Sequence, residues 1–185
     1  MANSSLPDLR GFFGIGVERL SKPVNAGNLF RSAHAFGASF VYTIDAKKTR
    51  KPLYSDTSNT IQSLPFYEWA KVEDAAFPEG CQVVGIELID GAVDLPSFKH
   101  PLNCAYLLGP EDGSLSDAAV KRCDQIVRIP AKFCVNVAIA GAVVMYDRIR
   151  VLGRFPDRPL SSQQIPTARA DHVWGHSAND DQDAK

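Results

Sequence analysis

Between Ile126 and Gly153 the chain reads IVRIP (Ile126 to Pro130), AKFC (Ala131 to Cys134) and VNVAIAGAVVMYDRIRVLG (Val135 to Gly153). A short apolar strand ends in a proline, a four-residue loop follows, and an apolar run then extends from Cys134 to Tyr146 with Asn136 as its only polar side chain. A bilayer crossing needs about 20 apolar residues. The run is shorter than that, and its length predicts a buried helix of a globular domain. Arg148 and Arg150 suit the negative end of the helix dipole, and Gly153 suits the C-cap. Ala138, Gly141 or Ala142, and Met145 form a strip of mostly small side chains, fitted either to core packing or to a subunit interface. An unpartnered buried amide costs about 1–3 kcal/mol, so Asn136 is the first functional candidate.

Working outward, strands and helices alternate. Phe12 to Val17 predicts a strand, LFRSAHAFG a helix ended by Gly37, and Phe40 to Ile44 a second strand. A polar stretch from Asp45 to Phe66 carries Lys47, Lys48, Arg50 and Lys51 and is too long for an ordinary connection, which predicts a functional or mobile loop. Trp69 to Phe77 suggests one short helix, Cys81 to Ile89 a strand, Asp90 to Asn103 a loop, and Cys104 to Leu108 a further strand. Ser114 or Ser116 would cap the short helix that follows. Apolar strands without period-2 alternation point to an α/β fold, a mostly parallel sheet covered by helices on both faces.

The chain has 185 residues, 45% of them hydrophobic and 22% charged, which suits one domain with a full core. That domain is expected over residues 1–153, with a polar tail over 154–185 that is partly disordered, at least from about Ser177. A formal net charge of -1 excludes a bulk polycation, so nucleic-acid contact must come from a local patch. With no basic leader and no membrane span, the expected location is cytoplasmic. Cys81, Cys104 and Cys123 read as small core residues, while Cys134 sits beside the loop after Pro130. His172 and His176 have the spacing of metal ligands on a helix, but no partner ligand is near and the segment lacks a helical pattern; no metal site is expected.

In parallel sheets ligands sit beyond the carboxyl ends of the strands. Three polar loops leave those ends: Asn25 to Arg31, Gly109 to Gly113, and Pro130 to Asn136. In the first, Asn25 or Asn28 can cap a helix, and Leu29, Ala33 and Phe36 form a buried face. Arg31 is then left pointing outward on the face it shares with Asn28. Its five donors near a helix N-terminus suit a phosphate, although a capped helix with a surface arginine would have the same pattern. In the second loop, glycines bracket Glu111 and Asp112, and a carboxylate there can bind a ribose hydroxyl or a cation. No G-x-G-x-x-G after a strand, Walker lysine, Ser/His/Asp set or zinc set is present.

Taken together, NAGNLFRSA (Asn25 to Ala33), LLGPEDGSLS (Leu107 to Ser116) and IPAKFCVNVA (Ile129 to Ala138) resemble the three motifs of the TrmH-like RNA ribose methyltransferases of the SPOUT superfamily. The resemblance covers about residues 12 to 153. It implies a sheet whose C-terminal part is tied into a deep trefoil knot, an S-adenosyl-L-methionine site in the knot loops, and a homodimer with the C-terminal helix in its interface. It implies methyl transfer to a ribose 2′-hydroxyl, with transfer RNA favoured over ribosomal RNA because the chain is similar to the minimal members. The expected catalytic residues are Arg31, Asn25, Glu111 and Asn136. Leu88, Gly109, Ile129, Cys134, Val135 and Asn136 are expected to contact the cofactor, and Asn28, Arg31, Lys47, Lys48, Arg50 and Lys51 the RNA. The family's serine is Cys134 here, a poorer hydrogen-bond partner. A SPOUT enzyme acting on a base nitrogen and a non-catalytic RNA-binding knot protein are the other classes considered.

Overall fold

The computed structural model describes residues 10–46 and 63–153, together with the backbone of His172–Val173 and His176–Ser177. By backbone proximity the chain divides into Met1–Arg154 and Phe155–Lys185. In the second unit the two short strands pair antiparallel, so the segment holding His172 and His176 is extended rather than helical. The tail's expected disorder from about Ser177 lies outside the described residues.

The first unit is built on seven parallel strands: β1 (Phe12–Glu18), β2 (Phe40–Ile44), β3 (Phe66–Trp69), β4 (Gln82–Ile86), β5 (Val93–Asp94), β6 (Asn103–Leu108) and β7 (Gln125–Arg128). They lie in the order β3-β2-β1-β6-β4-β7-β5. The helices are α1 (Pro23–Ala35), α2 (Asp117–Arg122) and α3 (Val137–Leu152). One face of the sheet packs Ile15, Val17, Val84 and Tyr106 against α1 and α3. The other packs Tyr42, Val83, Ala105 and Leu107 beneath α2 and a 3-10 turn at Val72–Asp74. The expected two-sided α/β architecture is therefore present, and central strands buried on both faces explain the lack of alternation. Gly16 has a specific reason to be glycine: a Cβ there would collide with the Tyr42 ring, which lies flat against the neighbouring strand.

Several boundaries differ from expectation. Trp69 belongs to edge strand β3, and Trp69 to Phe77 is not one helix; stacked Tyr67 and Trp69 pack beside Phe40 and Tyr42 instead. The strand expected to reach Ile89 ends at Ile86, because pairing with β6 and β7 runs out there. The Asp90 to Asn103 loop contains β5, which continues the sheet beside β7. Helix α1 starts at Pro23, whose fixed φ suits a first helical position. Asn25 and Asn28 thus lie inside the helix rather than at its cap. Ser116, not Ser114, caps α2 by accepting from the Ala119 N–H at 3.1 Å.

Helix α3 answers two open points. Ala138, Gly141 and Met145 face inward, so the small-residue strip is core packing against α1. Gly141 permits that approach, since a Cβ would strike the fully buried Leu29, with Ile15 close behind. Arg148, a cation near the C-terminal end of the helix, is 1% exposed. Its guanidinium lies over the Phe13 ring and donates to the Pro101 carbonyl at 2.6 Å and the Leu102 carbonyl at 2.7 Å. Of the three cysteines read as core residues, Cys104 is buried while Cys81 and Cys123 are half-buried; Cys134, beside the loop, is exposed.

A larger residue at position 141 would have to separate α1 from α3. Gly141→Val is expected to lower folding stability by about 1–3 kcal/mol through overpacking. A melting temperature equal to the parent's in calorimetry would refute the close helix contact.

Candidate active site

The three motif segments meet where the strands end, although Asn25 to Arg31 lies within α1 rather than in a loop. After β1, the chain turns through Arg19, whose φ of 52° is unusual for a residue with a side chain. Ser21 follows, and Asn25 then comes in the first turn of α1. Glu111 lies in the loop after β6, and Asn136 caps α3 by accepting from the Ala138 N–H at 2.9 Å. Asn136 is exposed, so its amide is not the buried group the sequence suggested.

These residues form one connected chain of hydrogen bonds. Ser21 donates through its hydroxyl to Glu111 Oε2 at 2.9 Å, and Asn25 Nδ2 donates to Glu111 Oε1 at 2.9 Å. Asn136 Nδ2 then donates to Asn25 Oδ1 at 3.1 Å. Burial is the largest single influence on Glu111 and opposes ionisation. Hydrogen bonds from Asn25, the loop backbone and Ser21 outweigh it and hold the carboxyl below its ordinary pKa.

On one side of this chain lies a cavity of about 580 Å³. All six residues expected at the cofactor, namely Leu88, Gly109, Ile129, Cys134, Val135 and Asn136, line it, as do Asn25 and Glu111. On the other side is an open cleft of about 790 Å³, lined by Asn28, Arg31, Ser32 and the outer face of α3. Asn25 and Asn136 line both spaces. The bonded amide pair is the partition between them. Arg31 is therefore near the cavity but not in it. Lys47, Lys48, Arg50 and Lys51 lie outside the described residues.

Sequence reasoning missed the carboxylates that shape the loop after β6. Glu18, the last residue of β1, is 2% exposed and accepts from the Ser116 N–H at 2.8 Å. Glu87, just beyond β4, accepts from the Leu88 N–H at 2.9 Å and the Leu115 N–H at 2.7 Å. The Arg19 guanidinium reaches the Ser114 carbonyl. Three successive residues, Ser114 to Ser116, are thus held from strand ends far away in sequence. An acid at the end of an otherwise apolar strand, as in FFGIGVE, was the available signal.

The SpoU rRNA Methylase family model matches residues 13–146. The tRNA (guanosine(18)-2′-O)-methyltransferase of Escherichia coli (strain K12) is 25% identical over 150 residues, covering 78% of this chain and 64% of that protein. The 23S rRNA (uridine(2479)-2′-O)-methyltransferase of Streptomyces viridochromogenes is 27% identical over 171 residues, covering 83% of this chain and 58% of that protein. Among solved structures, the SpoU methyltransferase AviRb from Streptomyces viridochromogenes in complex with the cofactor AdoMet aligns with a TM-score of 0.67 and 25% identity, over 80% of this chain and 63% of that one. The chain spans less than two thirds of the length of each of these relatives. The family match takes in the strand framework, all three motif segments and most of α3, and by it the chain belongs to the SpoU rRNA Methylase family.

Proposed function

We propose that this protein transfers a methyl group from S-adenosyl-L-methionine to a ribose 2′-hydroxyl of RNA, with transfer RNA as substrate before ribosomal RNA. The observation that carries the reading is the pair of spaces meeting at Asn25 and Asn136. Support for the chemistry comes from family membership and from relatives named as 2′-O-methyltransferases of both RNA classes. The Escherichia coli relative favours transfer RNA. We assign the protein to the cytoplasm with its substrate; among the described residues no helix is long and apolar enough to cross a membrane.

The larger part of the cofactor fits the cavity by size and lining. Small-molecule sites run to about 300–1,000 Å³ and combine apolar walls with a few fixed polar groups. Here the walls are Ile86, Leu88, Leu108 and Ile129, and the polar groups are the Glu111 loop and Asn136. The bound cofactor supplies an electrophilic methyl on a sulfonium. Leu88, Gly109, Ile129, Cys134, Val135 and Asn136 would hold it, with the Cys134 backbone contributing whatever its thiol does not. Glu111 fixes Asn25, and Asn25 fixes Asn136, so the partition keeps one shape.

The acceptor ribose belongs in the open cleft. Arg31 donates there and cannot accept, because a guanidinium stays protonated. It would therefore grip an RNA phosphate and steady the alkoxide as the 2′-oxygen displaces sulfur at the methyl carbon, the carbon–sulfur bond breaking as the carbon–oxygen bond forms and the neutral thioether leaving. The proton passes to a phosphate oxygen or to water. Asn28, three residues away on the same face, shares the RNA contact, and the Lys47 to Lys51 cluster extends it.

A second copy of the chain is the proposed partner, on the outer face of α3. Ile139, Val143 and Tyr146 are 57%, 39% and 52% exposed, and all three also border the open cleft. Such a contiguous apolar face marks an interaction surface. We also propose the deep trefoil knot of the resemblance. In support, α3 turns back after β7 to pack on α1, and Arg148 ties its end to the segment entering β6.

Three measurements test this reading. With labelled S-adenosyl-L-methionine and RNA from cells lacking the protein, nucleoside analysis is expected to find a 2′-O-methylnucleoside that Arg31→Ala reduces about 10²- to 10³-fold. A labelled base would overturn the ribose assignment. In sedimentation, the parent is expected as a dimer and Ile139→Glu/Tyr146→Glu as a monomer; a parent already monomeric would remove the second copy. The third concerns pH. Glu111's folded pKa lies below its ordinary value, so its contribution is complete above the unfolded pKa and lost as pH falls through the folded one. S-Adenosylhomocysteine affinity should hold as pH approaches about 4.3, the ordinary glutamate value, and decline below it. Ser21→Ala should move that decline to higher pH, and coincident profiles would remove Glu111 from control of the site.

A further inference from the structure

Two carboxylates line the cavity assigned to the cofactor, Glu87 and Glu111. A carboxylate in this region is suited to a ribose hydroxyl, and the sequence directed that role to the loop holding Glu111. The structure separates the two candidates. Glu111 accepts at both oxygens from side chains and backbone of the segment after β1, taking Asn25 at Oε1 and both the hydroxyl and the N–H of Ser21 at Oε2. Its task is to hold the partition.

Glu87 is placed differently. It stands immediately past the end of β4, next to Leu88 and opposite Gly109. Its partners are two backbone N–H groups, one at each oxygen, Leu88 at Oε1 and Leu115 at Oε2. A carboxylate has about four lone-pair sites, so each oxygen retains one more. The two backbone bonds also fix the plane of the group. Gly109 keeps its approach open: a Cβ at that position would sit 3.1 Å from Glu87 Oε2.

We infer that Glu87 binds the ribose of the cofactor, its two oxygens each accepting from one of the adjacent 2′- and 3′-hydroxyls. This rests on the reading of the cavity as the cofactor site. The pairing is chemically specific, because a vicinal diol presents two donors at a spacing that a carboxylate's two acceptors match, and a fixed group loses little freedom on binding. Glu87 then has two functions on one side chain. It anchors the Ser114 to Ser116 segment from below and reads the nucleoside from within the cavity.

The test is calorimetric titration of the full chain with two probes, S-adenosylhomocysteine and its 2′,3′-dideoxy analogue. The parent should bind the diol form about ten- to a hundredfold more tightly. Glu87→Gln should lose most of that preference, its affinity for the diol form falling several-fold further than its affinity for the dideoxy analogue. Equal loss for both probes would mean that Glu87 only holds the loop, and would overturn the assignment. So would a parent that does not discriminate between them, a result that needs no variant to fold. If the parent fails to bind S-adenosylhomocysteine at all while its circular dichroism is that of a folded protein, the cofactor-site reading falls, and this assignment with it.

Discussion

The hydrogen-bonded chain from Ser21 through Glu111 and Asn25 to Asn136 is the constraint on which the site depends. It joins segments separated by 86 to 111 positions in sequence. Each segment leaves the same end of the parallel sheet, and these side-chain bonds join them there. An ionised Glu111 is the acceptor at its centre, and charge-assisted bonds of this kind are about twice as strong as neutral ones. Removing that charge would weaken the hold on Asn25 and, through Asn25, on Asn136, and so loosen the boundary between cavity and cleft.

The opposite end of α3 is held by a different device. Among the described residues Arg148 is buried without an acidic partner in hydrogen-bond range, and its charge is met by the Pro101 and Leu102 carbonyls, Tyr106 Oη, Cys104 Sγ and the face of Phe13. Beside it, His100 bonds Tyr106 Oη at 2.6 Å and Asp147 at 3.1 Å. Burial lowers the His100 pKa despite Asp147, whose hydrogen bond and charge act the other way, while the neighbouring Arg148 adds to the lowering. A neutral imidazole therefore accompanies a permanently charged guanidinium. Together they tie the last turns of α3 to the entry of β6, while Asn136 ties its first turn to α1. The helix is fixed at both ends, and its small inner residues set its distance from α1.

The alternation of strands and helices, the parallel sheet and the loops after β6 and β7 were legible because each depends on local pattern, whereas Asn25 to Arg31, read as a loop, belongs to α1. Apolar runs between turn residues identify buried strands whatever lies around them. What local pattern lacks is direction. The small strip on α3 was visible, but Ala138, Gly141 and Met145 face the core, and the larger Ile139, Val143 and Tyr146 face outward. A helical repeat defines a face without saying which neighbour it meets. Arg148 meets the same limit: a cation near a helix C-terminus suits the dipole, and only the positions of distant carbonyls reveal that it is buried. Glu18 and Glu87 were invisible as site residues because their partners, the Ser116 and Leu115 N–H groups, approach only after β1, β4 and β6 lie side by side. The edge strand β3 was missed because its pairing with β2 decides its conformation, and a four-residue aromatic segment carries little signal alone.

A formal net charge of -1 argues against RNA binding only if charge is spread evenly, and here it is not. Three acids beside the site, Glu18, Glu87 and Glu111, all accept from N–H or O–H groups of the protein itself. Their negative charge is directed into loop backbone and amide side chains. The open cleft beyond Asn25 and Asn136 is lined by Asn28, Arg31, Ser32 and the α3 face, with no carboxylate among its lining residues. A phosphate entering that cleft meets a guanidinium, amides and a hydroxyl, and Glu111 is bonded to the Asn25 side chain that lines the cleft. Local separation of this kind lets a nearly neutral protein present a surface compatible with a polyanion. These acids build the loops from the inside, where their charge is met by hydrogen bonding, and leave the cleft lining to Asn28, Arg31 and Ser32.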